Sequence, residues 1–221
     1  MVEEGEEFEG GAVFEPITGV KEMVSVLDLK SLYPMAMRTI NASPETKVGD
    51  DFEGPAYEAP NGIRFRKEPD GIMREMITEL LEEREEKKAA RDEHDPEAEA
   101  YELYDRQQAA VKVIMNSLYG VSGWTQFRLY DKDAAGAVTA TGREVIEFTE
   151  EVANRLNYQV TYGDTDSIML ELGGGVSKEE AIEQSFELEA DINDSYAEFA
   201  GERLGAEEHF FEIEFEKLYR R

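Results

Sequence analysis

Cysteine is absent from the 221-residue sequence, which excludes disulfide bonds and metal sites built on thiolates and fits a cytoplasmic protein. No apolar run approaches the roughly 20 residues that a membrane-spanning helix needs, so no membrane partner is expected. The opening residues, MVEEGEEFEGG, lack a basic segment followed by an apolar one, and no signal peptide is predicted. Because 41% of the residues are apolar, the chain is expected to fold around a core.

Basic residues are scarce, since 23 Lys and Arg stand against 51 Asp and Glu and give a net charge of −28. Such a surface repels nucleic acids and acidic membranes in dilute buffer. A cationic partner, a salt-rich cytoplasm and an ordinary solvated surface are three explanations. The acidic residues are spread along the whole chain, which favours the salt-rich cytoplasm. At molar salt a Debye length of roughly 3 Å screens the repulsion between surface charges.

The pattern of apolar residues predicts an α+β fold with a mainly antiparallel sheet, helices packed on one face and a protruding two-helix hairpin. MVSVLDL predicts a buried strand that ends near Asp28, and HFFEIEFEKLY alternates as a half-buried strand does. QVTY and SIMLEL predict a β-hairpin closed by GDTD. Further helices are predicted at residues 132–157 and 178–203.

The two-helix hairpin is predicted at residues 72–120. Its first helix carries an apolar stripe at helical spacing: Ile72, Met73, Met76, Ile77, Leu80 and Leu81. Asp95 and Pro96 predict the start of the second helix, with Asp95 as its N-cap and Pro96 in its first position. Gly120 predicts the end of that helix. The chain is therefore divided into 1–71, 72–120 and 121–221.

Carboxylates occupy two places where strands are expected to meet. Asp28 ends a predicted strand, and Asp164 and Asp166 lie at the tip of a predicted hairpin. Acidic side chains brought side by side repel each other unless a cation lies between them. Carboxylate ligands without His or Cys favour Mg²⁺ or Mn²⁺ over zinc.

A row of polar side chains follows one face of the second hairpin helix, at helical spacing. Its members are Gln108, Lys112, Asn116 and Tyr119. On the first helix Arg84 and Lys88 add positive charge, and together these cations suit a polyphosphate. A divalent metal site that faces an anion is therefore a candidate.

Each feature also has an ordinary explanation. Asp28 could be a turn residue, the sequence DTD occurs in ordinary turns, and Lys112 could be a solvated helix lysine. Arg84 and Lys88 could merely pair with neighbouring glutamates. Their joint occurrence favours the functional interpretation, because all of the features serve one reaction.

Three segments carry a resemblance to a known family. DLKSLYP, KVIMNSLYG and YGDTDS, in this order, resemble motifs A, B and C of the family B DNA polymerases, with the archaeal replicative enzymes the nearest. FEGGAVFEP resembles the YxGG loop region, LLEEREEKK and DRQQAAVKVIMNSLYG resemble the two fingers helices, and EIEFEKLYRR resembles the strand before the lysine-rich KKxY segment. The resemblance implies the palm (1–71 and 121–221) and fingers (72–120) of a DNA-directed DNA polymerase, with the exonuclease and thumb regions outside the chain.

The resemblance also implies a set of metal ligands. Asp28 and Asp166 would bridge two Mg²⁺ ions, for which Mn²⁺ is a possible substitute, and the backbone carbonyl of Leu29 would complete the coordination. Asp164 would lie near the metals without being a direct ligand. Glu216 would be a third carboxylate, but Glu214 lies on the same strand face and remains an alternative.

Other residues are implied to bind the incoming nucleotide: Ser31, Leu32, Tyr33, Arg84, Lys88, Lys112, Asn116 and Tyr119. The cationic side chains would grip the triphosphate, and Tyr33 would act as a steric gate against a 2′-hydroxyl. Tyr119 would pack near the nascent base pair. The implied partners are primer–template DNA and dNTPs, with a sliding clamp only for the full-length enzyme.

Two positions depart from the family pattern, Phe8 in the YxGG region and Met35 after motif A. Two other functions compete with the polymerase. A non-catalytic DNA-binding or replisome-scaffolding relative would not need the intact acids, and a palm-fold cyclase would have no use for the helix RQQAAVKVIMNSLYG. Together with the acidic composition, the resemblance predicts a halophilic archaeal origin.

Overall fold

The computed structural model describes residues 11–220. Strands and helices follow one another in an α+β arrangement, as the sequence predicts. Their bounds are β1 Val13–Phe14, β2 Val24–Leu29, α1 Leu32–Thr39, β3 Lys47–Val48, β4 Ala56–Glu58, β5 Arg64–Arg66, α2 Ile72–Asp92, α3 Glu99–Ser122, α4 Lys132–Arg155, β6 Gln159–Asp164, β7 Ser167–Glu171, α5 Lys178–Leu204 and β8 Ile213–Tyr219. Phe8 lies outside the described residues.

The main sheet has five strands in the order β1-β6-β7-β2-β8, and each neighbouring pair is antiparallel. Strand β2 lies between β7 and β8, and all of its residues are buried except Asp28, which is half-buried at the carboxyl end. A smaller sheet has the order β3-β5-β4. The antiparallel sheet that the sequence predicts is therefore confirmed, and its inner strand delivers a carboxylate to the surface.

Two long helices cover the main sheet, α4 over β6 and β7 and α5 over β2 and β8, and they also pack against each other. Both begin at capped N-termini, where the side chain of Asp131 accepts a hydrogen bond from Ala134 N–H and Ser177 forms a capping box with Glu180. Their inward faces join α1 in one core with Leu27 of the inner strand. This core fixes the strand end that carries Asp28.

Strand β8 forms one edge of the sheet, and side chains of α5 cover its free backbone groups. Asn193 accepts a hydrogen bond from Ile213 N–H and donates one to Ile213 O, both at 2.9 Å. Glu189 accepts one from Phe215 N–H at 2.7 Å. Because each buried backbone donor needs a partner, these contacts fix the strand that bears the glutamates.

Helices α2 and α3 form the predicted hairpin, but the second helix begins and ends later than predicted. Asp95 is not its N-cap, since residues 95–98 form a turn with Pro96 in its second position and the helix starts at Glu99. Gly120 does not end it either, because the helix continues to Ser122 with Gly123 as its C-cap. Within residues 11–220, no helix is both long and apolar enough to cross a membrane.

Candidate active site

The hairpin loop between β6 and β7 is tied to the end of β2. Leu29 N–H donates to the carbonyl oxygen of Asp166 at 2.7 Å, and Asp28 lies opposite Ser167 in the antiparallel register. Thr165 takes a left-handed conformation with φ 54°, which is unusual for a β-branched residue and turns the chain sharply. The loop thereby places Asp166 beside the carboxyl end of β2.

Negative charge accumulates around Asp28. Its pKa is raised to about 6, first by burial and then by the charges of Asp166, Glu216 and Glu214, whereas Lys112 acts in the opposite direction. Carboxylates that repel one another in a half-buried place disfavour the ionised state. A cation bound among them would relieve both the burial cost and the repulsion.

Asp166 belongs to the same charged cluster. Although this residue is exposed, its pKa is raised, first by desolvation and also by the charges of Asp164 and Glu216, while Lys112 lowers it. The charge of Asp166 therefore acts on Asp28, and Lys112 acts on both aspartates. The three residues that the sequence places far apart share one electrostatic environment.

The donor set fits a magnesium-type ion only if other ligands complete it. Within the described residues, no three His, Cys, Asp or Glu side chains converge closely enough to hold a metal by themselves. Mg²⁺ usually binds one or two carboxylates, keeps waters and takes the remaining ligands from substrate phosphates. Two neighbouring aspartates, whose remaining metal ligands would come from water and phosphate, are compatible with that mode of binding.

A bulge in β8 brings both candidate glutamates toward Asp28. Glu214 is the direct partner of Asp28 in the register between β2 and β8. The register then shifts between Val26 and Leu27, so Glu216 is the extra residue of the bulge. A simple alternation along β8 therefore does not decide between the two glutamates.

Both glutamates are paired with a lysine. The ammonium of Lys30 lies 2.7 Å from the carboxylate of Glu212 and 3.0 Å from that of Glu214, and the ammonium of Lys217 lies 3.0 Å from that of Glu216. Ion pairing therefore does not distinguish the two glutamates. The charge of Glu216 raises the pKa of both aspartates, whereas that of Glu214 raises the pKa of one of them. This wider influence favours Glu216 as the third acid of the cluster.

A cavity of about 380 Å³ opens between this cluster and the helical hairpin. Its lining includes Asp28, Ser31, Arg84, Lys88 and Lys112. Acidic and cationic side chains thus face one space, as expected of a site for a metal-bound polyphosphate. Asn116 does not line this cavity; it lies one turn after Lys112 on the exposed surface of α3.

Two of the cationic side chains are already engaged in the hairpin. The Nε of Arg84 donates to Gln108 Oε1 at 3.2 Å, across from α2 to α3. The ammonium of Lys88 lies 2.8 Å from Glu85 Oε1, one turn earlier on α2. A phosphate would therefore compete with an amide for Arg84 and with a carboxylate for Lys88.

Tyr33 and Tyr119 form a stacked pair. Their ring centroids are 4.2 Å apart with 23° between the planes, and the Tyr119 hydroxyl lies 2.8 Å from Thr139 Oγ1. Burial raises the pKa of Tyr33 to about 12, so its phenol stays neutral. Next to it, Ser31 takes a left-handed conformation as the N-cap of α1, and the side chain of Leu32 is buried.

Sequence reasoning missed two residues of this site. Lys30 lies inside the quoted segment DLKSLYP, two residues after Asp28, and that proximity was the available signal. Glu85 is hidden among the many acids of α2, and only its helical spacing from Lys88 pointed to it. Both residues act through ion pairs at the edge of the cavity.

Comparison with known proteins gives relatives across the whole chain. The sequence model of DNA polymerase family B matches residues 2–221. A DNA polymerase of Archaeoglobus fulgidus is 40% identical over 179 residues, covering 80% of this chain and 22% of that protein. DNA polymerase 2 of Aeropyrum pernix is 34% identical over 218 residues, covering 97% of this chain and 24% of that protein.

A solved structure matches the fold as well. The family B DNA polymerase from the hyperthermophilic archaeon Pyrobaculum calidifontis has a TM-score of 0.73 and 32% identity, covering 100% of this chain and 26% of that one. The chain therefore spans about a quarter of the length of these relatives.

Proposed function

The chain belongs to DNA polymerase family B, and on that premise we propose that it carries the core of a DNA-directed DNA polymerase. The reaction is template-directed transfer of a nucleotide from a dNTP to the 3′-hydroxyl of a primer. One observation carries the proposal: Asp28 and Asp166 share a charged cluster, and Asp28 lines one cavity with Arg84, Lys88 and Lys112. Because the chain spans only part of its relatives, processive synthesis and a sliding clamp belong to the proposal only for a longer enzyme.

The proposed metal ligands are Asp28, Asp166, the carbonyl of Leu29 and Glu216, with Asp164 close by. When bound, two Mg²⁺ ions, or Mn²⁺ in their place, would lower the pKa of the attacking hydroxyl and neutralise phosphate charge. The raised pKa of Asp28 supports this assignment, because a site that is costly to ionise alone gains most from a cation.

The cationic side chains of the hairpin are proposed to hold the triphosphate. Arg84 and Lys88 reach the cavity from α2 and Lys112 from α3, so a phosphate chain could bridge the palm and the fingers. Nucleotidyl transfer depends mainly on positioning and on stabilisation of charge, and these side chains provide both. Ser31 and the backbone of Leu32 would contact the phosphates, and Asn116 would help position the nucleotide.

The stacked tyrosines are proposed to select the sugar and check the base pair. The ring of Tyr33 would collide with a 2′-hydroxyl, and Tyr119 would pack against the nascent pair. Their stacking at 4.2 Å supports these roles, because a ring must be held in place to exclude a single oxygen atom. The cytoplasm, where primer–template DNA and dNTPs meet in an archaeal cell, is the proposed location.

Primer extension tests the proposal in two forms of the protein, namely the chain itself and a fusion in which it replaces the matching segment of the Pyrobaculum calidifontis polymerase. Reactions contain Mg²⁺ and molar KCl, since the net charge of −28 makes low salt unfavourable. Asp28→Asn and Asp166→Asn should each abolish incorporation, whereas Asp191→Asn on the exposed surface of α5 should not.

Near-normal activity of either site variant would refute the metal assignment. DNA binding by both forms without any incorporation would instead favour the non-catalytic relative. The halophilic origin stays a prediction, and retention of full structure and activity at 50 mM salt would count against it.

A further inference from the structure

Gly142 lies in the middle of α4, directly against the ring of Tyr33. A methyl group added to this glycine would lie 2.9 Å from Tyr33 Cε1, 3.2 Å from its Cδ1 and 3.4 Å from Leu32 Cδ2. A carbon–carbon contact of 2.9 Å is well inside the optimal 3.5–4.0 Å. The ring of Tyr33 therefore occupies the space that any side chain at position 142 would fill.

A second wall of this space is formed by Tyr119. Tyr119 stacks on the Tyr33 ring, and its hydroxyl is hydrogen-bonded to Thr139, which lies one turn before Gly142 on the same helix. Near the far end of the ring, a methyl group added to Gly11 would lie 3.0 Å from the Tyr33 hydroxyl. Tyr33 thus lies in a slot whose walls are the backbone of α4 at Gly142, the ring of Tyr119 and the chain at Gly11.

Helix α4 has little freedom to move away. Three residues within one turn of Gly142 on this helix, Thr141, Val145 and Ile146, are buried in the core and are each 0% exposed. Displacing such a helix would disturb a close-packed interior. A side chain at position 142 would therefore move the tyrosine ring rather than the helix.

We propose that Gly142 is a positioning residue for sugar selection: the absence of its side chain sets how deeply Tyr33 lies in the slot, and so where the ring meets the sugar of the nucleotide. The inference rests on the proposed polymerase function and on the gate role of Tyr33 within it. No contact between Gly142 and the nucleotide is required, because the glycine acts through the ring.

Gly142→Ala tests this in both forms of the protein described above. The measured quantity is the preference for dCTP over CTP, expressed as the ratio of kcat/KM values. We expect at least a fivefold loss of preference, because a ring pushed out of its slot no longer meets the 2′ position. Gly136→Ala is the matched control, since this glycine lies on the same helix and an added methyl group would approach no atom closer than 3.7 Å.

A double variant separates the ring from other causes. In a Tyr33→Ala background, Gly142→Ala should change the preference no further, because the space is then empty. A shift that persists without the ring, or an unchanged preference in the single variant, would overturn the inference. If Gly142→Ala does not fold, the double variant should regain the fold, and failure to regain it would also count against the proposed contact.

Thr139→Val gives a second perturbation that adds no atoms to the slot. It removes the hydroxyl that holds Tyr119, so the preference for dCTP should fall, by less than with Gly142→Ala. Failure of the two proposals is distinguishable. No change of preference in Tyr33→Ala refutes the gate itself, whereas a change there with none in Gly142→Ala refutes only the positioning role of the glycine.

Discussion

Asp28→Asn is expected to stabilise the chain in the absence of metal although it abolishes the proposed activity. The pKa of Asp28 is raised to about 6 in the folded chain, so keeping this carboxylate ionised costs free energy in the folded state that it does not cost in the unfolded state. Asparagine has a similar shape and no charge. The substitution therefore removes the burial cost of the charge and its repulsion from Asp166, Glu216 and Glu214.

The magnitude follows from the pKa. The difference between about 6 and the ordinary 3.8 corresponds to about 3 kcal/mol of unfolding free energy at about 1.36 kcal/mol per pKa unit. Asp28 is only half-buried, and solvent screening reduces this figure to about 1.5 kcal/mol. For a chain of this size the melting temperature should rise by about 3 to 6 °C.

The sign of the pH dependence is fixed by the direction of the shift. Above about pH 6 the carboxylate is ionised in both states, and the destabilisation is present in full. As the pH falls from about 6 toward 3.8, the folded chain binds a proton that the unfolded chain does not, and the destabilisation is lost. The advantage of Asp28→Asn should therefore be largest at pH 7.5 and about half as large at pH 5.

Thermal unfolding in molar KCl with a chelator measures this advantage at the two pH values. Asp191→Asn is the control, because its carboxylate is exposed on α5. Millimolar Mg²⁺ should then stabilise the unmodified chain more than Asp28→Asn, since only the former keeps the ligand. A variant less stable than the unmodified chain at pH 7.5, or an advantage that grows toward pH 5, would refute the reasoning.

Two further predictions concern the edges of the site. Glu85→Gln should lower the KM for dNTPs about two- to threefold, because Lys88 loses the carboxylate that competes with phosphate. Steady-state kinetics measures this KM, with Glu86→Gln as the control, and an unchanged KM would contradict the prediction. Asn193→Ala should lower the free energy of unfolding, measured in urea, by about 2 to 3 kcal/mol, because both backbone groups of Ile213 lose a partner. A loss below about 0.5 kcal/mol would show that the edge of β8 does not depend on these two hydrogen bonds.

Periodicity predicted most of the fold because it reports which face of an element is buried. The run ending near Asp28 became β2, and the alternation of Phe211, Ile213 and Phe215 matches one side facing the core. Local signals for helix ends were less informative. Asp95 and Pro96 are suitable both for a helix start and for a turn, and the structure has the turn, closed by the hydrogen bond from Ala98 N–H to Asp95 O.

The motifs supplied the candidate site, but not the contacts between its parts. That Glu214 is paired with Lys30 depends on the register of β8 against β2, and that register contains a bulge which no alternation of residues announces. In the same way, the spacing of Arg84 and Lys88 places both on one face of α2. It does not show that Arg84 is hydrogen-bonded to the amide of Gln108 and that Lys88 is paired with the carboxylate of Glu85.

The least predictable part of the site is the slot around Tyr33, and its physics explains why. A glycine in a helix normally costs stability relative to alanine, so Gly142 reads in the sequence as a weakness of α4. Its value appears only when a ring from α1, more than a hundred residues earlier, is placed against the same turn. If the slot selects the sugar, the glycine lowers the stability of the helix but holds the Tyr33 ring in the position that selection requires. An alanine at position 142 should then lower the selectivity for deoxyribonucleotides even if it stabilises the helix itself.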